Sequence, residues 1–322
     1  MFWATTFSTL LLDDRFLASR RQRLKSKMQF TQLTPTQKEH FDLNGYLVIR
    51  NAIDQETIEH VVEVGDAFMT AELVREHGEP VAKNFYFNRY FNLTQDDVLL
   101  RLALNPSIVS LMAQLLTPDL RFSGGNLIYK YPQPASVTPI YPDGDGRDHR
   151  NWHRDINNLT PEHPIRNTVS VRVAYCLTDF SLPNSGVTNL VAGSHRLTVP
   201  LRFQKTSATQ PEADVDPPNT IEPQLQSGDA YLFSTLTYHA AGVNFRDHVA
   251  KVVMATYAYQ WWGGTTHPPD PSVFQKVDAI GRQLLGRRSD GEQPLVEWAR
   301  QHGILYEASP MRIYDHPVEV RW

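Results

Sequence analysis

Residues 151–155 read Asn-Trp-His-Arg-Asp, and the rest of the chain is read outward from them. His153 and Asp155 stand two apart. In an extended strand, residues i and i+2 point to one face. An imidazole nitrogen and a carboxylate oxygen can then approach one cation from the same side. A third ligand must come from elsewhere. His239, in Thr-Leu-Thr-Tyr-His-Ala-Ala-Gly over residues 235–242, is the candidate. Two imidazoles and one carboxylate on one face of a metal leave open positions opposite, the facial triad of non-haem Fe(II) sites. The same donors also describe catalytic zinc. A zinc hydrolase would need a general base beside the metal, and no Glu lies close to His153 in sequence. A cupin-like protein that binds metal or ligand without turnover is the third reading.

The surrounding pattern predicts mostly β structure with flanking helices. Residues 120–131, 168–178, 186–192, 220–226, 229–235 and 251–262 read as short strands between loops rich in Pro, Gly, Asn and Asp. Ahead of them, 34–43 reads as a capped helix with proline at its first position. A strand at 46–50 and a helix from 54 to 68 follow. The aromatic run 85–91 reads as a core strand. A further helix runs from 94 to 118, interrupted near Pro106. Helical patterns return at 271–286 and 292–301. The expected architecture is a double-stranded β-helix (a jelly roll, cupin-like) within one domain over 28–322. Its parts are a helical N-terminal part 34–118, a core 119–262 and a helical tail 263–322. The loops 133–150 and 204–219 are long enough to act as lids. Asp143, Asp145 and Asp148 in the first are primarily turn signals. Trp261 and Trp262, at the end of the last strand, read as core or rim.

Composition narrows the function classes. The 322 residues are 41% hydrophobic and 20% charged, with a net charge of −4, as in an ordinary globular protein. The sign of the charge and the pI near 6.3 argue against a nucleic-acid partner. The one cysteine, Cys176, lies in an apolar strand-like run and reads as a buried structural residue. A lone cysteine fits a reducing, cytoplasmic setting. No apolar run is read as a membrane span. Residues 1–12 are mildly apolar and 15–27 basic, the reverse of a secretory signal. We read residues 1–27 as a disordered or mis-annotated leader, and the chain as a monomer or homodimer.

Five stretches together resemble the phytanoyl-CoA hydroxylase family of Fe(II)- and 2-oxoglutarate-dependent dioxygenases. The first is Leu-Thr-Pro-Thr-Gln at 33–37 with Phe-Asp-Leu-Asn-Gly-Tyr-Leu-Val-Ile-Arg at 41–50. Trp-His-Arg-Asp at 152–155 is the second. The third is Pro-Asn-Ser-Gly at 183–186 with Leu-Val-Ala-Gly-Ser-His-Arg at 190–196, where Ala192 replaces the family's proline. Ser-Gly-Asp-Ala-Tyr-Leu-Phe at 227–233 and His-Ala-Ala-Gly-Val-Asn at 239–244 complete the set. The resemblance implies a double-stranded β-helix and Fe(II) held by His153, Asp155 and His239. It implies 2-oxoglutarate and dioxygen at the open positions, and hydroxylation of a small molecule with release of succinate and CO2. A specialised metabolite or amino-acid-like compound is the expected substrate. Related halogenases carry a small residue where Asp155 stands, which favours hydroxylation here. His195 is similar to the family's structural turn histidine and is not expected to bind metal. His149 is a lesser candidate contact.

One departure matters. The family places an arginine for the far carboxylate of 2-oxoglutarate eleven residues after the distal histidine, and here that position is Ala250. A hairpin one residue longer would bring Lys251 into place, which is the preferred expectation. Arg246 and Arg172 are the other candidates. Lys130 resembles a lysine the family sets on an early strand near the cosubstrate. Loss of this cation altogether would mark a binding protein. No glycine-rich phosphate loop or basic patch points to an acyl-CoA substrate.

Overall fold

The chain opens on a helix because Thr34 closes a reciprocal cap. Its side chain accepts from Gln37 N at 3.2 Å while the Gln37 side chain accepts from Thr34 N at 3.0 Å. Helix α1 (Pro35–Asn44) then runs to Gly45, whose φ of 78° only glycine adopts at little cost. The computed structural model describes residues 30–80, 85–133, 152–156, 168–197, 201, 216–262, 266–287 and 292–304. The leader, most of both long loops, and His149 lie outside the described residues.

Strand β1 (Tyr46–Ile49) leads to α2 (Gln55–His77), capped by Asp54. This helix passes residue 68 because its buried stripe continues through Ile58, Val61, Gly65, Met69 and Leu73 to the stop at Gly78. Gly65 lets α2 approach the sheet: a Cβ there would lie 3.0 Å from the Tyr129 hydroxyl. Strand β2 (Tyr86–Tyr90) is an edge strand, not the core strand its aromatics suggest. Phe87 is buried, whereas Tyr90 is 62% exposed. Helices α3 (Asp97–Ala103) and α4 (Pro106–Leu115) split at Asn105, which caps the second. The stretch Asp97–Leu115 is long and apolar enough to cross a membrane, with mean hydropathy 1.5, but 61% of its most apolar window is buried inside the fold. It supplies core.

Seven further strands follow: β3 (Leu120–Lys130), β4 (Ser170–Cys176), β5 (Asn189–Val191), β6 (Thr220–Ile221), β7 (Ala230–Ser234), β8 (His239–Ala240) and β9 (Ala250–Tyr259). They form an antiparallel six-stranded sheet, ordered β1-β7-β4-β9-β3-β2, and a three-stranded sheet ordered β6-β5-β8. Ile128, Ala174, Tyr231, Phe233, Val252 and Met254 of the first meet Leu190 of the second in one apolar cluster. That is the double-stranded β-helix. Several strands are shorter than the pattern predicts: 168–178 narrows to Ser170–Cys176 and 186–192 to Asn189–Val191. The segment 220–226 is extended only at Thr220–Ile221, and β9 ends before Trp261, which is 45% exposed at the rim. The tail is a 3-10 turn (Pro271–Gln275), then α5 (Ala279–Leu284) and α6 (Pro294–Gln301).

Alternation along the strands gives the larger sheet two unlike faces. Ile128, Ala174, Cys176, Ala250, Val252 and Met254 face the smaller sheet. Leu127, Tyr129, Val171, Val173, Tyr175, Val253, Ala255 and Tyr257 pack with the helices.

Candidate active site

The 152–155 segment joins the smaller sheet beside β8. His153 and His239 exchange backbone hydrogen bonds of 3.0 and 2.9 Å, and Asp155 N donates to Thr235 O at 3.1 Å. The two-residue period then sorts the side chains. Trp152 packs with Val191, Tyr238 and Ala240. Arg154 lies 4.5 Å over the Tyr238 ring and donates to Ser194 O and Leu197 O. His153 and Asp155 take the other face, toward His239.

Donor atoms of His153, Asp155 and His239 lie within 4.8 Å of one another. The two imidazole rings are 4.3 Å apart, and His239 Nε2 is 3.7 Å from Asp155 Oδ1. His239 Nδ1 sits 2.9 Å from Thr237 O. A carbonyl only accepts, so Nδ1 carries the proton and Nε2 presents its lone pair to the shared space. Burial pushes the His239 pKa down to about 4, against the pull of Asp155. The ring is therefore neutral at physiological pH, as a metal ligand must be. Burial alone would raise the Asp155 pKa; His239, Arg172 and His153 outweigh it and hold it below the ordinary carboxylate value. Two imidazoles and an ionised carboxylate on one face suit Fe(II).

Arg172 contacts this site directly. On β4 it shares the inner face with Ala174 and Cys176, opposite Phe233 of β7 and Thr256 of β9. Its guanidinium grips Asp155 twice, Nε to Oδ2 at 2.6 Å and Nη2 to Oδ1 at 3.2 Å. The expected role at the cosubstrate's far end does not fit a guanidinium held at the metal end.

Lys251, the preferred cation, is not brought to the triad. Ala250 and Val252 point inward, so Lys251 between them points to the helices. Its ammonium donates to Asp66 of α2 at 2.7 and 2.8 Å and lies 5.2 Å over the Tyr129 ring. A one-residue slip sends a strand side chain to the opposite face, and β9 does not slip. Arg246 stays in the turn before β9, where its side chain donates to Pro183 O at 2.7 Å. Lys130 is 5% exposed, directly opposite Ala250 across the β3–β9 ladder, on the inner face with Ile128. Its ammonium lies 5.9 Å from the Tyr86 ring. Gly186 closes over this pair: a Cβ there would lie 2.9 Å from that of Ala250 and 3.5 Å from that of Lys130. His195 donates through Nε2 to Asp42 O at 3.1 Å, tying its turn to α1. The sequence reading missed Asp66 and the Arg172–Asp155 pair. Counting parity from Ala250 would have turned Lys251 outward. A charge at an inward position of an apolar strand would have demanded a partner for Arg172.

Two facing sheets with an imidazole–carboxylate–imidazole face between them carry the donor set of the non-haem iron class. More particularly, the chain belongs to the family described as Phytanoyl-CoA dioxygenase (PhyH), which matches residues 41–251. Its cofactor and cosubstrate are Fe(II) and 2-oxoglutarate, and among the described residues the triad is a cluster that could hold a metal ion. Similar solved structures include HygX from Streptomyces hygroscopicus with nickel, 2-oxoglutarate and hygromycin B bound. It is 21% identical at TM-score 0.48, over 71% of this chain and 88% of that one. The carbocyclase SnoK from nogalamycin biosynthesis is 18% identical at TM-score 0.48, over 82% and 98%. The epimerase SnoN, in complex with Fe3+, alpha ketoglutarate and nogalamycin RO, is 17% identical at TM-score 0.47, over 69% and 82%. No curated protein matches the chain.

Proposed function

We propose that this protein hydroxylates a small molecule, a specialised metabolite, in a reaction that consumes 2-oxoglutarate and dioxygen and releases succinate and CO2. The carrying observation is the complete triad with a carboxylate at Asp155. Bound Fe(II), with its cosubstrate and dioxygen, supplies the oxidant that removes hydrogen from a substrate carbon. The chain's own residues orient and shield that chemistry. His153, Asp155 and His239 would hold the ion. Thr237 O fixes the His239 tautomer. Phe233, 5.0 Å from the His239 ring, and Met254 give the interior an apolar lining.

We assign the far carboxylate of 2-oxoglutarate to Lys130. Support comes from its burial, its inward face and its place opposite Ala250. An ammonium makes a point-charge contact where arginine would make a fork.

The test is anaerobic. Adding Fe(II) and then 2-oxoglutarate is expected to raise a weak visible charge-transfer band that needs both. Admitting dioxygen with a panel of small molecules is expected to release succinate with one of them. No band at saturating iron and cosubstrate would overturn the reading and bring a zinc hydrolase or a binding protein forward.

A further inference from the structure

Both oxygens of Asp155 are accounted for, and unequally. Oδ2 takes the short bond from Arg172 Nε at 2.6 Å. Oδ1 takes the longer one at 3.2 Å from Nη2 and is the oxygen 3.7 Å from His239 Nε2. A charge-assisted bond of 2.6 Å commits Oδ2 to the guanidinium, whereas Oδ1 keeps a lone pair toward the two imidazoles. The fork is rigid and planar, so it fixes the rotation of the carboxylate as well as its position. Both side chains are largely buried, at 22% and 17% exposure, where an unpaired charge would be costly.

The geometry points to Arg172 as a positioning residue that holds Asp155 to coordination through one oxygen. This rests on the Fe(II)/2-oxoglutarate reading above and adds to it. A freely rotating aspartate can chelate with both oxygens and occupy four metal positions together with the histidines. One pinned by Arg172 gives three, which leaves three of an octahedron for a chelating 2-oxo acid and dioxygen. Arg172 also brings a positive charge to a centre that combines an aspartate with a dianionic cosubstrate. Its place on β4 serves this: Phe233 and Thr256 flank it, and both neighbouring strands are paired to β4 along most of its length.

Arg172→Gln and Arg172→Lys separate the charge from the fork. Each would be loaded with Co(II), whose visible absorption reports coordination number, and separately titrated with 2-oxoglutarate in the Fe(II) form. For Arg172→Gln we expect a changed cobalt spectrum and an increase of about tenfold in half-saturating 2-oxoglutarate, the scale seen when the partner of a metal ligand is lost. For Arg172→Lys we expect half-saturating 2-oxoglutarate near wild type, because the charge remains, but a cobalt spectrum that still differs, because the fork is gone. Melting curves check folding, and if Arg172→Gln does not fold, Arg172→Lys decides. Cobalt spectra identical to wild type in the folded variants would overturn the inference. A wild type without any 2-oxoglutarate-dependent band would instead sink the functional reading, while the cobalt spectra would still judge Arg172.

Discussion

Arg172 and Lys251 sit on adjacent strands of one sheet, each bonded twice to a carboxylate, yet they serve different ends. Arg172 points between the sheets and grips Asp155, a residue of the triad. Lys251 points to the helices and clamps Asp66, which is 47% exposed, binding α2 to the sheet. Strand parity alone separates a site residue from a structural one. Charge, residue type and distance from His239 along the chain do not.

The largest effect should come from breaking the two carboxylates in turn. Asp155→Ala is expected to abolish the 2-oxoglutarate-dependent band. Asp66→Ala should leave that band at its wild-type midpoint and lower the unfolding free energy by about 1 kcal/mol, as expected of a partly exposed ion pair. Denaturant unfolding beside the optical titration checks both; loss of the band in Asp66→Ala would collapse the contrast between the faces. The lysines sharpen it next. Lys130→Ala should raise half-saturating 2-oxoglutarate roughly tenfold to a hundredfold, the range for losing a charged hydrogen bond. Lys251→Ala should not move it, and the reverse result would return the cosubstrate anchor to β9. The smallest effect concerns Cys176, on the inner face, where burial outweighs the pull of Arg50 toward a thiolate. Burial pushes its thiol well above the usual range. Iodoacetamide at pH 9 should therefore leave the native protein unlabelled and react only after denaturant is added.

Much of this was legible in the sequence where the signal is local. The capping box at Thr34 and Gln37, the stop at Gly45 and the shared face of His153 and Asp155 each need only a few consecutive residues. The split at Asn105 and Pro106 was equally visible. The aromatic run at 85–91 misled because β-propensity does not tell an edge strand from a central one. The end of α2 lies beyond Phe68 because the buried stripe continues through Met69 and Leu73 to the glycine stop at Gly78.

By itself the sequence determined the class: alternating short strands, a His-x-Asp pair, a distal histidine and an alanine where the family carries arginine. Only the tertiary structure decided which cations serve the site. The facing of Lys251 depends on how many residues the turn before β9 absorbs. That turn is closed by Asn244, which donates to His248 O and accepts from Arg246 N. The facing of Lys130 depends on its pairing with Ala250, 120 positions away in the chain. Register between distant strands is set by packing summed over both sheets, and no local stretch of residues encodes it.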